Sequence, residues 1–186
     1  MPNNMNQPAV MIPTFDGNIE HGGFDATLYA GQVGSRVTVK VMQGSNQVAK
    51  TYQRVVNDSS MTVAPAEALV AFWLNRGTYV VTSSVSGAGR GNPAGIWRNN
   101  DSGGLGTLAV SNGCFIQIKG LSNVTFQGSP TAAPTAAGLI VIPSGTDGVA
   151  DCLAAGSAAT YPALGVSTGT ATANVAQVDL NLDGTP

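Results

Sequence analysis

Apolar residues along most of this chain recur at every second position. In Arg36-Val37-Thr38-Val39-Lys40-Val41 the valines fall on one side and the charged or hydroxylated residues on the other. Cys114-Phe115-Ile116-Gln117-Ile118-Lys119 and Ala176-Gln177-Val178-Asp179-Leu180-Asn181-Leu182 repeat the alternation. Such a pattern belongs to half-buried antiparallel strands. Thr78-Tyr79-Val80-Val81-Thr82 and Val124-Thr125-Phe126 are further strand candidates, being rich in β-branched and aromatic residues. Glycine-rich punctuation separates them, as at Gly87-Ala88-Gly89-Arg90-Gly91 and Gly103-Gly104-Leu105-Gly106. The prediction is an all-β fold: an antiparallel β-sandwich of jelly-roll type, or a small barrel. The segment Thr62 to Leu74 reads equally as a short helix or, over Leu69-Val70-Ala71-Phe72-Trp73-Leu74, as a buried strand.

Residues 1–23 break the pattern and read as an extended N-terminal arm. Pro2, Pro8 and Pro13 disfavour a helix, and no charged side chain precedes Asp16. Within this arm Val10, Met11, Ile12 and Phe15 are apolar and need a surface to cover them. Residues 24–186 then form the β domain.

Sliding the domain against itself by about seventy positions brings out an internal similarity. The segment from Ala64 to Val70 falls over that from Ala133 to Ile140, and Gly77-Thr78 over Gly145-Thr146. Pro93-Ala94-Gly95-Ile96-Trp97 falls over Pro162-Ala163-Leu164-Gly165-Val166. Two similar strand-loop-strand units are expected, at about 24–119 and 120–186.

Charge alters the picture more than length does. Of the 186 residues only 10% are Asp, Glu, Lys or Arg, where about 25% is usual. A net charge of −2 supplies no electrostatic footprint for nucleic acid. No apolar run is long enough for a membrane span. Met1-Pro2-Asn3-Asn4-Met5-Asn6 has neither the basic region nor the apolar core of a secretory leader. The deficit is concentrated: between Gly120 and Val178 the only carboxylates or basic side chains are Asp147 and Asp151. A neutral surface of Ala, Thr, Ser, Gly and Val suits a protein–protein interface, whose centre is depleted in charge.

Residues able to carry chemistry are sparse. The single histidine, His21, sits in the Gly-flanked arm. Cys114 and Cys152 are isolated and read as free thiols, with one bridge between them as the alternative. With one His and no Cys-x-x-Cys, zinc lacks ligands, and neither a metal nor another cofactor is expected. Asp147 and Asp151 lack the alternating oxygen ligands of a calcium loop. Gly87 to Asn92 leads into Pro93 and a strand rather than a helix, which argues for a hairpin tip over a phosphate cradle. Trp73, Trp97, Phe72 and Tyr79 are expected in the core. Catalysis is not expected.

An uncharged, proline-bearing arm followed by a Gly/Ala/Thr/Val-rich β domain, punctuated by Tyr29-Ala30-Gly31-Gln32-Val33, Pro93-Ala94-Gly95-Ile96-Trp97 and Tyr161-Pro162-Ala163-Leu164-Gly165-Val166, resembles the capsid decoration (cement) proteins of tailed bacteriophages. The resemblance implies a non-catalytic virion protein on the capsid exterior that bridges neighbouring major capsid protein subunits. It further implies a homo-oligomer, with a trimer favoured over a dimer. On this reading Val10, Met11, Ile12 and Phe15 are the capsid-docking residues, and the neutral C-terminal half joins one copy to another. Two alternatives stand beside it. One is a carbohydrate-binding or adhesive module of a phage fibre, which needs exposed aromatics. The other is a jelly-roll coat protein of a small icosahedral virus, although such coats commonly carry a basic arm.

Overall fold

A computed structural model describes residues 33–43, 46–58, 68–98, 113–128, 133–153 and 157–182. Within these residues the fold is all-β, with ten strands in one sheet and a single short helical turn. The strands are β1 (Arg36–Gln43), β2 (Asn46–Asn57), β3 (Val70–Asn75), β4 (Val80–Thr82), β5 (Pro93–Arg98), β6 (Gly113–Thr125), β7 (Ile140–Pro143), β8 (Ala150–Cys152), β9 (Gly165–Ser167) and β10 (Val175–Asn181). The turn α1 (Val85–Ala88) lies between β4 and β5. The arm, residues 1–23, and its residues Val10, Met11, Ile12 and Phe15 lie outside the described residues.

The sheet order is β1-β2-β4-β3-β5-β6-β10-β9-β7-β8, with an additional pairing of β2 to β6. That extra pairing closes a ring of neighbours: β2, β4, β3, β5, β6 and back to β2. The β2–β4 contact is parallel, matching Val56 with Val80 and Asn57 with Val81, and so departs from a wholly antiparallel expectation. A second ring runs β6, β10, β9, β7, β8 and returns to the end of β6 through a parallel bridge from Phe126 to Ala150.

Strand order thus repeats: β4-β3-β5-β6 in one direction is matched by β8-β7-β9-β10 in the other. Pairing register repeats with it. Val70 pairs with Ile96 and Ala71 with Gly95. The residues about seventy positions later do the same, Ile140 with Val166 and Val141 with Gly165. Each unit opens on a left-handed residue two positions before its first strand, Ala68 (φ 68°) and Gly138 (φ 85°). Ile96 then faces Gln117 as Val166 faces Asp179. The shift that carries Gln117 onto Asp179 also carries Lys119 onto Asn181, and these two residues pair with each other. An approximate two-fold axis therefore passes between Lys119 and Asn181 and exchanges β6 with β10. The expected division near residue 119 falls inside β6, which spans both units.

At this seam β6 changes partner, pairing with β2 up to Lys119 and with β10 from Lys119 onward. Gly120 makes the change possible. It is left-handed (φ 84°), and a Cβ there would overlap the Ala49 carbonyl. Gln117, fully buried, holds the bend: its Nε2 lies 3.1, 3.1 and 3.0 Å from the carbonyl oxygens of Lys119, Gly120 and Leu121. Three acceptors share two amide hydrogens, so one buried side chain ties the main chain on both sides of the bend.

One hydrophobic core serves both units, joining Val55, Phe72, Ile96, Trp97, Ile116 and Phe126 to Val141, Leu164, Val178 and Leu180. The segment from Leu69 to Leu74 resolves as strand, since Val70 to Asn75 forms β3; residues 62–67 lie outside the described residues. Trp97, Trp73 and Phe72 are buried, as expected. Tyr79, half-buried, meets Trp73 edge to face with ring centroids 6.1 Å apart.

Candidate interaction surface

The two units differ in how they use equivalent positions. Val70 and Ile96, paired across β3 and β5, are both 0% exposed. Their counterparts Ile140 and Val166, paired across β7 and β9, are 41% and 43% exposed. Gln117, which follows Ile96 across the sheet, is buried, while its counterpart Asp179 is exposed. One face of the first unit is therefore enclosed by protein, and the corresponding face of the second lies open. On it two branched aliphatic side chains stand side by side, an arrangement that water does not favour.

Two acids of the second unit, Asp147 and Asp151, make contacts within the protein. The Asp147 carboxylate accepts from the Val85 N–H at 2.7 Å, at the start of α1. The Arg90 guanidinium donates to Asp151 at 2.9 Å and, through Nε, to the Pro143 carbonyl. It also stacks 4.5 Å from the centroid of the Tyr161 ring. Both acids thus tie the β7–β8 hairpin of the second unit to the β4–β5 connection of the first. The sequence places Gly87 to Asn92 in a bare hairpin tip. The structure instead gives a turn of helix, Val85–Ala88, whose exposed N–H meets a carboxylate distant in sequence. Ser84 stands at the N-cap but makes no side-chain capping bond, and the Val85 N–H is instead taken by Asp147 of the other unit.

These contacts give Asp147 and Asp151 roles in joining the two units. Among the described residues no three of His, Cys, Asp and Glu gather closely enough to hold a metal ion. Cys152 is a free, half-buried thiol beside Asp151. Burial, and then the negative charge of Asp151, push its pKa from 9.0 up to about 11. It is therefore a poor nucleophile at neutral pH. Cys114 lies in β6, its side chain outside the described residues. His21 also lies outside them.

The arm residues Val10, Met11, Ile12 and Phe15 lie outside the described residues. The surface rests on Ile140 and Val166, to which the sequence reading gives no role. Their signal is the contrast with Val70 and Ile96, and it needs the strand register to be seen. No known protein family matches the chain, and no curated protein matches it.

Proposed function

We propose that this protein is a structural component of a phage virion, a decoration protein that bridges neighbouring major capsid subunits on the capsid exterior and works without catalysis. Each ring of strand pairings is read as a small β-barrel, and the two together as a rigid double module. The observation that carries the reading is the open Ile140–Val166 pair, set in a half of the chain from which charge is nearly absent. The occupant of that face is a second copy of the protein. A neutral, aliphatic surface complements another of its kind, and the sister positions Val70 and Ile96 already pack against protein. Copies joined in this way, three around a capsid symmetry axis, multiply weak contacts with the capsid through effective concentration.

Static light scattering and co-sedimentation with intact phage capsids test the proposal together. The wild-type protein is expected to be oligomeric and to pellet with capsids. Ile140→Asp combined with Val166→Asp is expected to give a monomer of unchanged melting temperature and much reduced capsid occupancy. A wild-type monomer that pellets with no capsid overturns the reading.

A further inference from the structure

Gln53 of β2 and Trp97 of β5 both pair with Ile116 of β6, so the three residues stand in one row across neighbouring strands. Residues paired in an antiparallel ladder project to the same face of the sheet. Here it is the inner face of the first ring. From Gln53 onward along β2, the buried Gln53 and Val55 alternate with the half-buried Arg54 and Val56, so the odd-numbered side chains point inward. Two polar atoms of this row are enclosed without a hydrogen-bond partner in the protein: Trp97 Nε1 and Gln53 Oε1. The Gln53 amide is oriented by its other end, where Nε2 donates to the Gly34 carbonyl at 3.4 Å. Its Oε1 is therefore turned away from Gly34.

The second unit has the equivalent row, Ser122–Val178–Ser167, and satisfies it locally. Ser167 takes the place of Trp97, since its N–H donates to Leu139 as that of Trp97 donates to Leu69. The Ser167 hydroxyl donates to the Ala136 carbonyl at 2.8 Å and accepts from the Leu139 N–H at 3.0 Å. The Ser122 hydroxyl donates to the Asn123 carbonyl at 3.3 Å. In the first unit alone the two outer members of the row reach no main-chain group with these atoms.

We propose that the first ring binds a single water molecule between Trp97 and Gln53, which accepts from the indole N–H and donates to the amide oxygen. The two atoms are complementary, because an indole N–H only donates and an amide oxygen only accepts. Two strand spacings set their main chains at most about 10 Å apart, and the side chains close part of that span from either side. Ile116, between them, does not fill it evenly. Its Cδ1 lies 3.1 Å from where a Cβ on Gly95 of β5 would stand, so the side chain leans toward β5 and away from Gln53. Neither group is charged, so an ion gains no counterpart there to offset its desolvation. A water with two or more polar partners is the guest such a pair selects, since it satisfies donor and acceptor together. The site is independent of the proposed virion role.

Water-selective NOE and ROE spectra of the nitrogen-15-labelled full chain read the site directly, with the Trp97 indole signal identified by its loss in Trp97→Phe. A cross-peak between that indole proton and a long-lived water is expected. A crystal structure is expected to show the same water within about 2.7–3.2 Å of both atoms. Gln53→Met keeps the length of the side chain and removes the acceptor. It is expected to abolish the cross-peak and to move the indole proton upfield. Absence of the cross-peak in the wild-type chain overturns the proposal, as does a direct bond between Trp97 and Gln53 in the crystal. A cross-peak unchanged in folded Gln53→Met overturns the bridge. The wild-type spectra and crystal decide the matter should that variant fail to fold.

Discussion

Gly165 of β9 lies against the carbonyl of Asp179 in β10, so closely that a Cβ on Gly165 would overlap the oxygen. Gly95 of β5 meets the Gln117 carbonyl of β6 in the same way, with 2.7 Å left for a Cβ. The two glycines occupy the same place in the two units, and each lets its third strand approach its last. Gly165→Ala and Gly95→Ala must therefore push the strands apart. Each is expected to cost about 1–3 kcal/mol, with Gly165→Ala the more severe, as read from urea midpoints. Equal stability of both variants with wild type refutes the close approach.

Ala68 adopts in the first unit the left-handed conformation that Gly138 adopts in the second. An L-residue with a Cβ is strained there by about 1–2 kcal/mol, whereas glycine is not. Ala68→Gly is expected to hold or raise the melting temperature and Gly138→Ala to lower it. The opposite pair of signs rejects the equivalence of the two positions.

The bend at Gly120 depends on one amide. Gln117→Met keeps the volume and removes the donor shared by the carbonyls of Lys119, Gly120 and Leu121. Loss of a hydrogen bond to these part-buried carbonyls costs about 0.5–1.5 kcal/mol, to be measured by chemical denaturation. Gly120→Ala, which meets the Ala49 carbonyl, is expected to be worse.

Cys152 makes stability fall at alkaline pH. The folded state holds the thiol proton up to about pH 11, whereas the unfolded chain releases it near 9.0. The contribution is thus whole below about pH 9 and is lost as pH rises from there through about 11. Denaturation midpoints of wild type and Cys152→Ser, taken near pH 8 and pH 10.5, are expected to show the smaller alkaline loss in the serine variant. The same shift predicts slow alkylation of Cys152 at neutral pH.

What could be read from the sequence follows from where each strand is buried. β10 alternates because one side meets solvent and its polar residues mark the period, whereas in β6 Phe115, Ile116, Gln117 and Ile118 are all buried and the period is carried by the polar Gln117 alone. β3 carries no period, since Val70, Ala71, Phe72 and Trp73 are enclosed on both faces. The β7, β8 and β9 strands are too short to show a period and gain their strand character from ladder partners. Pro93-Ala94-Gly95 and Pro162 to Gly165 betrayed the repeat because the glycine is needed in both units. The open surface was hidden, since Val70 and Ile140 are similar residues in similar strands and only their surroundings differ.

β6 is a member of both rings, with its first half closing one and its second half the other. Neither unit can therefore melt and leave its sister whole, for the loss of this strand opens both at once. The molecule should unfold in one step, resist trimming to a stable half, and transmit a pull on one end to the other as a single stiff body.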